Sequence, residues 1–276
     1  MMVFIDGRFY AKKNAKISVF DHGFLYGDGI YETMRSYNGI VFKIEQHIKR
    51  LFESAKLISL KLPYSKQEIK NSVYKTIKTN NFKNAYIRLS FSRGVGEIGL
   101  DTDLCKKPTL VIIAKRFKPF SAKLYREGIK MIIAKTRRNP SEAISPEIKS
   151  TNFLNNILAK IEAKKKDVFE AIMLNLDGFV TEGTVSNIFI VKNNILKTPS
   201  KKAGILVGVT RNHILQLAKK LEIKTEETFL KPDDLYTADE CFITNTSVEI
   251  MPVRFVDTQR ISVNGEITRK LIENFR

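Results

Sequence analysis

Short runs of alternating apolar and polar residues open the chain, and dipeptide turns break them. Residues 3–5 and 9–10 flank Asp6-Gly7, and residues 30–37 and 40–42 flank Asn38-Gly39. Asp-Gly and Asn-Gly supply the positive φ angles of a two-residue turn, so each pair of runs predicts a β-hairpin. The period then changes. Ile44, Ile48, Leu51, Phe52 and Ala55 recur at three- and four-residue spacing, which predicts a helix with one apolar stripe. Pro63 ends the link that follows, and Ser65 with Glu68 predicts a capping box for a helix over 66–79. Residues 85–92 and 109–115 predict strands, joined by a loop at 93–108.

Phe117-Lys118-Pro119-Phe120-Ser121 interrupts the pattern and predicts a boundary. It separates an N-terminal lobe at 1–117 from a C-terminal lobe at 123–276, with 118–122 as linker. Beyond it, 129–136 predicts a strand. Ser150 and Thr151 predict the start of a helix running through Phe153, Ile157, Leu158 and Ile161 to the lysines at 164–166. Cations there suit the negative end of a helix dipole. Residues 171–176, 179–181, 187–191 and 195–197 predict strands, with turns at Asp177-Gly178 and Asn193-Asn194. A helix over 209–221, strands over 240–244 and 253–256, and a closing helix over 267–275 complete an α+β pattern without internal repeats.

Composition narrows the class. The chain has 276 residues, 43% hydrophobic and 28% charged, enough for a sizeable core. That excludes a disordered chain and a small disulfide scaffold. Cys105 and Cys241 fit no metal or redox spacing, and His22, His47 and His213 show no metal pairing, so no metal is expected. The longest apolar run, residues 110–114, is far too short to span a bilayer. The first residues lack the apolar stretch of a signal peptide, and a cytoplasmic address is expected.

Charge complicates the picture. The net charge is +18. Residues 1–138 hold 28 Lys/Arg against 11 Asp/Glu, while 139–276 hold 19 against 18. Such an excess raises nucleic acid or an anionic membrane as a partner. The lysines are dispersed, as on a solvated surface, and neither a long basic run nor a reading motif is present. A basic nucleic-acid-binding protein is therefore the rival reading from a different class; the main reading expects no nucleic acid and no membrane.

Local chemistry is sparse. There is no GxSxG and no GxxxxGK[ST]. Residues 22–29 are Gly-rich but lack phosphate-loop spacing. Residues 204–211, Gly-Ile-Leu-Val-Gly-Val-Thr-Arg, lead into the helix at 209, where free N–H groups attract a phosphate. Gly-x-Thr before a helix is also ordinary capping chemistry. Composition cannot choose one catalytic lysine among so many.

Longer blocks do choose one. Pro146-Glu147-Ile148-Lys149-Ser150-Thr151-Asn152-Phe153-Leu154-Asn155-Asn156 resembles the lysine segment of fold-type IV pyridoxal-phosphate enzymes. Gly178-Phe179-Val180-Thr181-Glu182-Gly183-Thr184-Val185-Ser186-Asn187 resembles the block that follows it in that family. Gly208-Val209-Thr210-Arg211 and Thr244-Asn245-Thr246-Ser247 come next, in the family's order. Residues 21–35, 47–51 and Tyr86-Ile87-Arg88 match as well, so the resemblance covers nearly the whole chain.

The resemblance implies a two-lobed fold-type IV enzyme with pyridoxal 5'-phosphate between the lobes. Lys149 matches the lysine that forms the Schiff base and carries the proton, a task needing an amine that can be neutral. Glu182 matches the carboxylate that pairs with the pyridine nitrogen and keeps the ring an electron acceptor. Arg50, Val209, Thr210 and Thr246 match the phosphate cup, where an arginine offers a planar fork. Ser186, Asn187 and Gly208 match further cofactor-binding positions. Tyr26, Tyr31, Tyr86, Arg88, Leu100, Ser247 and Val248 match substrate-side positions. Arg88 would bind the distal carboxylate of 2-oxoglutarate, and the 246–248 amides the α-carboxylate.

The nearest resemblance is to branched-chain aminotransferases, through Tyr86-x-Arg88 and the loop Arg93-Gly94-Val95-Gly96-Glu97-Ile98-Gly99-Leu100-Asp101. It implies a homodimer in which residues near Leu100 complete the partner's site, with amino acids and 2-oxo acids as substrates. Phe153 stands where a tyrosine is common, and Ser247-Val248 where Ala-Ala is common. Tyr31-Glu32-Thr33 and Thr184-Val185-Ser186-Asn187 are similar to D-amino-acid transaminases and aminodeoxychorismate lyases. The Arg-x-His carboxylate trap of the former is not visible after Gly94. Both remain alternatives.

Overall fold

The computed structural model describes residues 1–263 and 265–276. The chain divides into two compact units: Met1–Lys118 with Ile148–Asn152, and Pro119–Glu147 with Phe153–Arg276.

The first unit opens with β1 (Met2–Ile5) and β2 (Arg8–Ala11), then one helical turn, α1 (His22–Leu25). β3 (Gly29–Tyr37), β4 (Ile40–Val41), α2 (Ile44–Leu57) and α3 (Lys66–Thr79) follow, then β5 (Ala85–Ser92) and β6 (Thr109–Arg116). Among the described residues the strands form one antiparallel sheet in the order β2-β1-β6-β5-β3-β4. Both predicted hairpin turns are present. Asp6 and Gly7 have φ of 44° and 90°, and Asn38 and Gly39 have 50° and 88°. Two positive φ values in succession define the turn whose twist matches its strands. The capping box of α3 is also present: Ser65 Oγ accepts from Glu68 N, and Glu68 Oε2 accepts from Ser65 N at 2.7 Å.

Alternation decides which sheet face is buried. Ile87, Leu89 and Phe91 of β5 and Leu110, Ile112 and Ala114 of β6 join Ile48, Leu51, Ile69 and Val73 of α2 and α3 in one core. Truncating one of these leucines or isoleucines to alanine costs about 2–5 kcal/mol. The opposite face is half-open. The β3–β5 register pairs Tyr31 with Ser90, Thr33 with Arg88 and Arg35 with Tyr86, which sets Tyr31, Tyr86 and Arg88 on that face together.

Ile148–Asn152 belongs to the first unit although it follows the 118–122 segment in sequence. It lies along the edge of β3. Tyr31 N donates to Lys149 O at 2.9 Å, Thr151 N donates to Gly29 O at 2.9 Å, and Ile30 bridges Ser150. This pairing corrects one expectation. Ser150 and Thr151 do not open the next helix, because their backbone serves a strand edge. The helix begins at Leu154.

The second unit holds α4 (Ala122–Glu127), β7 (Ile129–Ile133), α5 (Leu154–Lys165), β8 (Glu170–Leu174), β9 (Val180–Gly183), β10 (Asn187–Lys192) and β11 (Ile195–Pro199). It continues with α6 (Val209–Lys220), β12 (Thr225–Thr228), α7 (Pro232–Tyr236), β13 (Glu240–Asn245), β14 (Glu249–Val256), β15 (Gln259–Arg260) and α8 (Glu266–Glu273). Among the described residues one mixed sheet runs β12-β11-β10-β13-β14-β7-β8-β9, with β15 on β14. Its middle strands are apolar on both faces: Ile188, Phe189, Ile190, Phe242 and Ile243 are all buried. Phe189 and Phe242 stack with centroids 5.0 Å apart. Strands buried on both faces read as continuous apolar runs, as the sequence does here.

Candidate active site

In the first unit the edge of β3 fixes Lys149. Its backbone N donates to Ser54 Oγ of α2 at 3.1 Å, and its carbonyl takes the Tyr31 amide. Its Nζ donates to the Tyr31 hydroxyl at 3.1 Å. Arg88 stacks on the same tyrosine, with Cζ 4.0 Å from the ring centroid. Cations over an aromatic face are attracted by its quadrupole. The strand register thus gathers Lys149, Tyr31 and Arg88. Tyr86 lies on the same face, with Lys115 Nζ 4.8 Å from its ring centroid.

Glu32, the next residue on β3, faces the helices. It is only 1% exposed. Arg50 holds it with two bonds, Nε to Oε1 and Nη2 to Oε2, both 2.7 Å. His47 Nδ1 lies 2.7 Å from Oε2. Burial alone would raise the Glu32 carboxyl, but the charges and hydrogen bonds of Arg50 and His47 outweigh it and hold the group at about 2. Burial pushes the His47 imidazole below its ordinary value, against the pull of Glu32, and Arg50 and Lys149 push the same way as burial. Arg50, expected at a phosphate, is therefore engaged here by a carboxylate.

Tyr26 and Leu100 form a second group in this unit. The Tyr26 hydroxyl accepts from Gly99 N at 3.0 Å, and its ring meets His22 edge-on. His22 Nε2 lies 2.9 Å from Glu97 O. These bonds hold the base of the loop that carries Leu100, which is 84% exposed.

In the second unit Glu182 is the penultimate residue of β9, 5% exposed. Its Oε1 accepts from Arg138 Nε at 3.0 Å; its Oε2 accepts from Leu206 N at 3.0 Å and Asn187 Nδ2 at 3.2 Å. The result is a fixed, buried acceptor flanked by a compensating cation. Asn187 also ties this group to α6. A Cβ on Gly208 would sit 2.1 Å from Asn187 Oδ1, so a larger residue there would have to push the Asn187 side chain aside. Gly208 is the N-cap of α6 and makes no side-chain cap, and Val209 and Thr210 form its first turn.

Ser186 does not reach the Glu182 carboxylate by a hydrogen bond of its own. Its Oγ donates to buried Glu170 at 3.4 Å, and Glu170 also takes the Thr184 hydroxyl. Thr246, Ser247 and Val248 lie in the turn between β13 and β14. The amides of Ser247 and Val248, expected to serve a substrate carboxylate, donate to Asn245 Oδ1 at 2.8 and 3.0 Å. A carboxylate bound there would displace that side-chain oxygen.

Sequence reasoning missed Glu32, His47 and Arg138. A signal existed for the first. Glu32 lies between Ile30 and Met34 on the core face of a strand, where a charge needs a partner. Among the described residues no group of three or more His, Cys, Asp or Glu could hold a metal ion, and no helix is long and apolar enough to cross a membrane.

Taken unit by unit, the donor sets suit a phosphorylated pyridine aldehyde: in the first, an amine at Lys149; in the second, a buried carboxylate at Glu182 for a ring N–H and the free N–H groups that begin α6 after Gly208 for a phosphate. Comparison with known proteins identifies the family. The family model for class IV aminotransferases matches residues 29–256. A Methanocaldococcus jannaschii protein, provisionally named a branched-chain-amino-acid aminotransferase, is 47% identical over 278 residues, covering 100% of this chain and 96% of the relative. The Bacillus subtilis aminodeoxychorismate lyase is 38% identical, over 98% of this chain and 92% of its own. The crystal structure of a branched-chain aminotransferase from Thermoproteus uzoniensis with norvaline superposes with a TM-score of 0.94 at 35% identity, covering 100% of this chain and 93% of that one. With a family model spanning most of its length and relatives this similar from end to end, the chain belongs to the class IV aminotransferases and has their fold-type IV architecture.

Proposed function

We propose that this enzyme moves the amino group of a branched-chain L-amino acid to 2-oxoglutarate in two half-reactions, with pyridoxal 5'-phosphate as cofactor. The observation that carries the substrate class is the end-to-end similarity to the Methanocaldococcus protein. Class IV aminotransferases use this cofactor. When bound, it supplies an aldehyde that takes up the amino group and a ring that accepts electrons from the substrate Cα.

Lys149 would hold the cofactor through its amine, and that amine would take the proton from the substrate Cα and return it to the cofactor carbon that keeps the amino group. The Tyr31 hydroxyl, 3.1 Å from Nζ, orients that amine. Glu182, kept in place by Arg138, meets the ring nitrogen, with Asn187 and Ser186 supporting its turn. Arg50, Gly208, Val209, Thr210 and Thr246 take the phosphate. Tyr31, Tyr86 and Arg88 line the substrate side, and Arg88 takes the distal carboxylate of 2-oxoglutarate. Ser247 and Val248 take the α-carboxylate once Asn245 yields.

A homodimer completes the site. Val19, Phe24, Val95, Ile98 and Leu100 are exposed apolar residues on two segments of the first unit that are tied together by the Asp21–Val95 bridge. Exposed apolar groups brought together in this way mark an interaction surface, and Tyr26 and Leu100 are the residues offered to the partner. Two free cysteines support a reducing, cytoplasmic setting.

Half-reactions test the reading. Holoenzyme is mixed with L-leucine, D-alanine or aminodeoxychorismate, and the absorbance of the aldehyde form is followed. Rapid loss with L-leucine is expected. Faster loss with D-alanine would overturn the L-selective assignment. The similarity to the Bacillus lyase favours one second reading, elimination by the same lysine, and pyruvate released from aminodeoxychorismate would establish it.

A further inference from the structure

Glu32 has no part in the assignments above, yet it is the hub of a buried cluster. Both of its oxygens are bonded: Oε1 by Arg50 Nε, and Oε2 by Arg50 Nη2 and His47 Nδ1, each at 2.7 Å. A lone carboxylate with this little exposure would be strongly disfavoured, so the cluster is an arrangement of charges and not a by-product of packing. The fork fixes the guanidinium plane, and His47 stops the carboxylate from turning within the fork. The same strand that meets the Lys149 amine through Tyr31 meets Arg50 through the next residue.

We propose that Glu32 is a positioning residue for the cofactor's phosphate: it locks Arg50 in the one orientation from which the guanidinium takes that group. The inference rests on the assignment of Arg50 to the phosphate. Two effects oppose each other. The negative charge of Glu32 lies close to an incoming phosphate and weakens its attraction to Arg50. Its fork removes the rotamer freedom that a long side chain would otherwise lose on binding. Positioning predicts that the second effect wins, so loss of Glu32 weakens anion binding even though the site becomes more positive.

The test titrates the full-length chain, freed of cofactor, with pyridoxamine 5'-phosphate and with pyridoxamine, which lacks the phosphate. Wild type is compared with Glu32→Gln, Glu32→Asp and Arg50→Gln, with thermal unfolding as a control for folding. Glu32→Asp keeps the charge and withdraws the fork by one methylene, and it decides the matter alone if Glu32→Gln does not fold. Both Glu32 variants should bind pyridoxamine 5'-phosphate roughly 10- to 100-fold more weakly, in line with the loss of supporting groups at other sites, and pyridoxamine unchanged. Tighter binding by Glu32→Gln, or wild-type binding by Glu32→Asp, would overturn the proposal and leave Glu32 as a neutralising charge. An equal loss for both ligands would also overturn it, as damage to the fold. If Arg50→Gln binds the phosphate ligand as well as wild type, the Arg50 assignment itself fails and the positioning role goes with it. If only Arg50→Gln loses binding, the assignment stands and the positioning role falls.

Discussion

Each unit buries one glutamate against one arginine, and the two pairs run in opposite senses. In the first unit Arg50 is the member assigned to the ligand, and Glu32 holds it from behind with both oxygens. In the second unit Glu182 is the member assigned to the ligand, and Arg138 holds it from Nε to Oε1. Under the proposed assignments, the sign of the group to be met accounts for the reversal. A phosphate calls for a cation in front, and a protonated ring nitrogen calls for an anion. The supports differ as well. Glu182 also receives two neutral donors, Asn187 Nδ2 and Leu206 N, whereas Glu32 also receives His47. Burial and pairing alone therefore do not single out the working member of an ion pair.

The largest expected effect bypasses both pairs. Lys149→Ala should lower transamination by about 10⁴-fold or more, since the group that moves the proton is gone. Steady-state rates with L-leucine and 2-oxoglutarate measure it. Activity within tenfold of wild type would remove the lysine that both pairs are meant to serve.

The next comparison separates the members of one pair. Glu182→Gln should cost roughly 10²- to 10³-fold in kcat, as the loss of a preorganised charge at the reacting centre does. Arg138→Gln should cost roughly tenfold, because Asn187 and Leu206 still hold the carboxylate. Equal losses would mean that the pair acts as a unit and that the distinction between working and supporting members is empty.

Acid should expose the first pair. The folded Glu32 carboxyl sits at about 2 against an ordinary 4.5. Its pKa is depressed on folding, so its contribution is fully present above pH 4.5 and is lost as pH falls from 4.5 through 2, to the extent of roughly 3 kcal/mol. The His47 imidazole, depressed mainly by burial, adds a loss that begins as pH falls below about 6.5. Urea midpoints at pH 6.5, 4.5 and 3 should fall progressively in wild type, with a shallower final step in Glu32→Gln. Identical steps would show that the clamp gives no net stabilisation. The smallest effect concerns the positive charge concentrated in residues 1–138. Capture of 2-oxoglutarate should slow severalfold between low and physiological salt; a rate that ignores ionic strength would leave those lysines without a steering role.

Elements with their own local chemistry could be read from the chain. Asp6-Gly7, Asn38-Gly39 and Ser65 with Glu68 each carry a turn or cap within four residues, and each forms as expected. The start of α5 was misread because the backbone of Ser150 and Thr151 is claimed by β3, more than a hundred residues away. α7 and β12 are too short to show a period. Among site residues the same rule holds. Lys149 and Glu182 sit in long contiguous blocks, whereas their supports are remote: Arg138 lies 44 residues from Glu182, and Tyr31 118 from Lys149. A side chain's partner across such a distance is a property of topology. The Asn245 side chain accepts from the Ser247 and Val248 amides in a local turn that the sequence reading did not include.

The central claim is that one lysine, Lys149, holds the cofactor. Holoenzyme reduced with borohydride, digested and mapped by mass should carry the phosphopyridoxyl group on the peptide containing Lys149 and on no other lysine. A label on a different lysine, or a protein that takes up no cofactor to reduce, would contradict it.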